Sequence, residues 1–96
     1  MDLNNLLKSR REEIISIAAK HGARNVRVFG SVARGEAGEN SDIDLLVELD
    51  HGRSLLDLAG LVADLEELLE HKVDVVTEQG LYWLLRRRIL KEARPL

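Results

Sequence analysis

Gly30-Ser31-Val32-Ala33-Arg34-Gly35-Glu36-Ala37-Gly38-Glu39-Asn40-Ser41-Asp42-Ile43-Asp44 is the stretch that decides the fold. It joins two chemistries. At its start a Gly-Ser pair follows the apolar run Val26-Arg27-Val28-Phe29, so the chain leaves a strand at a residue whose backbone can come close to a ligand. A tight turn entering a helical turn presents backbone N–H groups that suit phosphate oxygens. At its end Asp42 and Asp44 open the run Ile43-Asp44-Leu45-Leu46-Val47-Glu48-Leu49. Side chains two apart on a strand share a face, so both carboxylates project into one small region. Like charges this close stay ionised comfortably only with a cation between them. Carboxylate oxygens around a hard cation describe a magnesium site, and magnesium usually brings phosphate with it.

Working outward, Lys72-Val73-Asp74-Val75-Val76-Thr77 reads as a further strand with one acid among valines. An Asp there is disfavoured by propensity and by burial. A strand, crossover helix and strand give parallel neighbours, which would set Asp74 beside the Asp42 and Asp44 pair. An exposed edge-strand Asp is the other reading, and this strand alone does not separate the two; the upstream motif favours the site.

Gly-Ser, ten residues, then Asp-x-Asp resembles the signature of the nucleotidyltransferase superfamily that includes DNA polymerase beta and kanamycin nucleotidyltransferase. Phe-Gly-Ser-x-Ala-Arg-Gly-Glu followed by Ser-Asp-Ile-Asp-Leu-Leu-Val resembles, more narrowly, the minimal nucleotidyltransferases of prokaryotic toxin–antitoxin pairs. The resemblance covers nearly the whole chain. It implies an α/β nucleotidyltransferase fold, with a small mixed three-stranded sheet packed by three to four helices in a single domain over residues 1–96. It also implies that Asp42, Asp44 and Asp74 hold two magnesium ions and carry catalysis. Gly30 and Ser31 would hold the phosphates of ATP, and Arg34 would neutralise the departing pyrophosphate. The implied acceptor is a tyrosine of a HEPN-domain toxin, which makes the chain an antitoxin. The competing expectation is an antitoxin that neutralises its partner by contact alone.

Composition bounds these readings. Ninety-six residues, 45% apolar and 32% charged, allow a modest core and leave no room for the second lobe that selects base and acceptor in larger relatives. Modification of a small molecule therefore lacks an acceptor pocket. The absence of cysteine fits a reducing cytoplasm, and the polar start, Met1 to Arg11, contains neither a secretory signal nor a membrane span. The net charge of -3 is unevenly spread. Residues 1–35 carry seven Lys/Arg against three Asp/Glu, residues 36–80 two against thirteen, and residues 81–96 five against one. An acidic middle is a poor nucleic-acid footprint.

The remaining elements follow from periodicity. Leu3, Leu6, Leu7, Ile14, Ile15, Ile17 and Ala18 predict one helix from residue 3 to about 21, ended by Gly22. Residues 25–30 predict the first strand, a helical turn follows from Ser31 to about Arg34, and residues 42–49 predict the second strand. Residues 36–41, Glu36 to Ser41, are turn chemistry, with Ser41 capping the turn. Ser54-Leu55-Leu56-Asp57 has capping-box spacing, and the helix to about residue 70 is expected to bury Leu55, Leu58, Val62, Leu65 and Leu69. Leu61 and Leu68 widen that stripe and suggest a protein contact, while Asp57, Asp64, Glu67 and Glu70 read as a solvated face. A last helix over residues 81–93 is expected to bury Tyr82, Leu85, Ile89 and Ala93. His21 reads as a dipole partner at a helix end, His51 as a solvated loop residue, and Arg86-Arg87-Arg88 as a basic helix end.

Overall fold

A computed structural model describes residues 2–38 and 40–96, so Glu39 of the expected turn lies outside the described residues. The elements are α1 (Leu3–Ser9), α2 (Arg11–Lys20), β1 (Ala23–Phe29), α3 (Gly30–Arg34), β2 (Ile43–Leu49), α4 (Leu55–Leu69), β3 (Val73–Thr77), α5 (Trp83–Glu92) and β4 (Arg94–Pro95). The sheet runs β3-β2-β1-β4, with β1 antiparallel to β2 and to β4, and β2 parallel to β3. A β2-α4-β3 crossover makes that parallel pair, as the spacing of the two acidic strands implies.

One face of the sheet is the core. Ile43, Leu45 and Val47 alternate inward along β2 and are fully buried, joined by Val28, Val73, Val75, Ile14, Ala18, Leu61 and Leu65. Each of these Val, Leu and Ile side chains contributes about 1.5–3 kcal/mol by leaving water. α4 is opened by the capping box: Ser54 Oγ accepts from Leu56 N–H, and Asp57 accepts from Ser54 N–H at 2.9 Å.

Several expectations are corrected. The first helix is two helices, because Arg10 leaves helical geometry at φ -109° and caps both. Among the described residues the sheet has four strands rather than three, accompanied by five helices rather than three to four. The fourth strand is only Arg94–Pro95; its pairing with Arg27 and Val28 is a tertiary contact that two residues cannot announce. On α4 the inward stripe is Leu61, Leu65 and Leu69, whereas Leu55, in the first turn, is 80% exposed. Leu61 is therefore core rather than contact surface. α5 buries none of its residues, and Tyr82 and Leu85 lie exposed. Among the described residues no helix is long and apolar enough to cross a membrane.

Candidate active site

β1 passes directly into α3 at Gly30, which takes a left-handed φ of +72°. The left-handed backbone favours glycine here, and a Cβ at this position would in addition meet Asp44 Oδ2, which would have to move aside. Ser31 follows, half-buried, in the first turn of α3. Arg34 lies in its last turn, and Gly35, at φ +74°, ends the helix. Asn4 fastens α1 to the turn by donating Nδ2–H to Val32 O at 3.2 Å. The return to β2 is closed by Ser41, whose Oγ accepts from Gly38 N–H at 2.9 Å, the capping role that its position suggested.

The acids come together through sheet register. Phe29, Asp44 and Asp74 form one row across β1, β2 and β3. Residues directly opposed across strands present side chains to the same face, so Asp44 and Asp74 are immediate neighbours on the face away from the core. Asp42 immediately precedes β2, half-exposed, with Lys72 Nζ 4.0 Å away. Burial raises the Asp44 carboxyl above the ordinary aspartate range, and the negative charges of Asp74 and Asp42 push it the same way; Arg34 opposes them. The three carboxylates thus act on one another as like charges.

These donors fit a hard divalent cation chemically, since they are oxygen anions whose mutual repulsion such an ion would relieve. Among the described residues, however, no three His, Cys, Asp or Glu side chains are already gathered into a ligating set.

Two features of this region were not legible in the sequence. Glu92, at the end of α5, accepts from Gly30 N–H at 3.3 Å and pairs with Arg34 Nη1 at 2.9 Å. Arg34 also pairs with Glu36 at 3.3 Å, and the two carboxylates, Glu92 foremost, raise the guanidinium pKa further. Second, Arg27 shares a row with Leu46 and Val76 and pairs with Glu78 at 3.0 Å, which in turn faces Arg86 at 3.9 Å. Leu46 is fully buried and Arg27 Nη2 is buried without a partner among the described residues, so the face bearing the acids is itself covered beyond its first row. A glutamate 58 residues from Arg34 leaves no periodic trace. Of the remaining candidates, His21 pairs with Asp64 at 2.7 Å, which holds the Asp64 carboxyl below the ordinary range and removes Asp64 from the purely solvated face.

The class is that of an α/β protein in which a strand-to-helix glycine turn is set against paired carboxylates of neighbouring strands. The particular family is shown by comparison: the chain belongs to the nucleotidyltransferases, whose domain matches residues 11–96. A protein of Methanocaldococcus jannaschii carrying the provisional name protein adenylyltransferase is 51% identical over 86% of this chain and 89% of its own length. Protein adenylyltransferase MntA of Thermococcus cleftensis is 40% identical over 84% of this chain and 90% of its own. A solved structure described provisionally as a minimal nucleotidyltransferase superposes with a TM-score of 0.87 at 57% identity, covering 100% of this chain and 97% of the other. The fold also matches a toxin–antitoxin crystal structure with AMP-PNP, with a TM-score of 0.75 at 22% identity over 88% of this chain and 69% of that one.

Proposed function

We propose that this nucleotidyltransferase moves AMP from ATP to a hydroxyl of a partner protein, a tyrosine of a HEPN-domain toxin, and so acts as a cytoplasmic antitoxin. The observation that carries the reading is the row placing Asp74 beside Asp44, with Gly30 held against the same carboxylate. The names of the relatives support adenylyl transfer to protein.

In the reaction the acceptor oxygen forms a bond to the α-phosphorus as the bond to the bridging oxygen breaks and pyrophosphate leaves. Gly30 N–H and the Ser31 hydroxyl bind phosphate oxygens, and Arg34 neutralises charge on the leaving pyrophosphate. Asp74, exposed on β3, takes the proton from the acceptor hydroxyl. Asp42, Asp44 and Asp74 would hold two magnesium ions, which when bound supply charge neutralisation and lower the pKa of the attacking hydroxyl.

A second reading, neutralisation by contact alone, is favoured by one observation. Tyr82, Trp83 and Leu84 are 59%, 72% and 58% exposed where the chain enters α5, an apolar surface that a partner would cover. Incubation with magnesium, α-labelled ATP and the neighbouring-gene product separates the two. Transfer predicts label on the partner that disappears with Asp42→Asn; full neutralisation by Asp42→Asn without label supports contact alone.

A further inference from the structure

Glu92 places a carboxylate on two of the groups to which the proposed function gives phosphate oxygens. It accepts from Gly30 N–H at 3.3 Å, and both of its oxygens lie within hydrogen-bond reach of Arg34 Nη1, at 3.2 and 2.9 Å. A carboxylate and a phosphate oxygen ask the same things of such donors, a full negative charge and lone pairs, so the two compete for one place. The side chain is only 17% exposed, so this is a seated contact rather than a loose surface pair.

The rest of α5 is built to let go. None of its residues is buried, its N-terminus has no side-chain cap, and the contact between Arg86 and Glu78 is long at 3.9 Å. Beyond Ala93 the chain is held by two residues of β4 on β1, by Leu96, which donates its N–H to Val26 O at 3.2 Å and packs against the core, by Arg94 donating to Asn4 Oδ1 at 2.6 Å, and by Arg11 donating to Leu96 O at 3.0 Å. Releasing α5 only as far as Ala93, with β4 and Leu96 left in place, therefore exposes little apolar surface.

We propose that Glu92 is a resident competitor of the nucleotide phosphates: in the nucleotide-free protein its carboxylate occupies Gly30 N–H and Arg34, and phosphate binding expels it together with the C-terminal end of α5. This rests on the phosphate-binding reading of Gly30 and Arg34 given above. Nucleotide binding and loosening of α5 then become one event, and since the entry to α5 also carries the exposed Tyr82, Trp83 and Leu84, loading of the site is felt on that surface.

The test is calorimetric titration of the full chain with inorganic tripolyphosphate in magnesium buffer, comparing wild type with Glu92→Gln, which keeps shape and removes charge. Competition predicts roughly tenfold tighter binding by Glu92→Gln. Equal or weaker binding by the variant would overturn the proposal and make Glu92 a residue that positions Arg34. No binding by either protein would overturn the phosphate-site reading itself, and the competition with it. Amide hydrogen exchange on the wild type supplies a readout that does not depend on the variant folding. Tripolyphosphate should speed exchange several-fold over residues 89–93, and unchanged or slower exchange there contradicts expulsion.

Discussion

β2 and α5 both bring a carboxylate to the site, yet they solve opposite problems. On β2 the inward residues Ile43, Leu45 and Val47 are fully buried, and they hold Asp44 on the opposite face to within a fixed register. On α5 nothing is buried, and the helix touches the site through one terminal carboxylate. The difference teaches that precision in this site comes from the sheet, while adjustability comes from the helix laid beside it.

The sharpest way to break that comparison is paired truncation. Leu45→Ala should cost about 2–5 kcal/mol and Leu84→Ala no more than about 0.5, read as unfolding free energies in urea. Similar losses at both positions would show that α5 is as integral as β2. Gly30→Ala comes next. It strains a left-handed position and drives a methyl into Asp44, so about 1–3 kcal/mol of stability is expected to go, together with at least tenfold in tripolyphosphate affinity. Glu78→Gln sharpens the boundary between the two regions. It strips the ionised partner from Arg27, whose Nη2 is already buried and unpaired, and should cost about 1–2 kcal/mol while leaving tripolyphosphate binding intact.

The smallest effect has the opposite sign. Asp44 binds its proton more tightly in the folded chain than in the unfolded one, so in the window above about pH 4 the folded state holds more protons and stability falls as pH rises. Asp44→Asn should therefore stabilise the metal-free protein by up to about 1 kcal/mol at pH 7, with the gain shrinking towards pH 4, when thermal melts are compared across pH. Asp64 works the other way. Its carboxyl is lowered by His21, so its contribution is present above about pH 4 and is lost as pH falls through the lowered value.

What the sequence made legible follows from range. Asp74 reaches Asp44 through a crossover whose direction is nearly obligatory, so topology suffices to make those two neighbours, although β3 is also the edge strand and Asp74 is exposed on it. Gly30 reads as room for a ligand; the structure adds that Asp44 Oδ2 lies against that room. The misreadings belong to helix ends and tertiary accidents. Leu55 fits the α4 stripe by period but precedes the first turn that reaches the sheet, and Tyr82 and Leu85 have helical spacing on a helix that finds no apolar partner. Glu92 and β4 join segments more than fifty residues apart, and no local pattern encodes such contacts.

The central claim is that these strand carboxylates are set to share divalent cations. It is tested most directly by following the Asp44 carboxyl by carbon-13 NMR through a pH titration, with and without magnesium. The account predicts a pKa above the ordinary aspartate value without the metal and a clear fall when magnesium is added. A titration that starts at the ordinary value, or that magnesium leaves where it was, would contradict it.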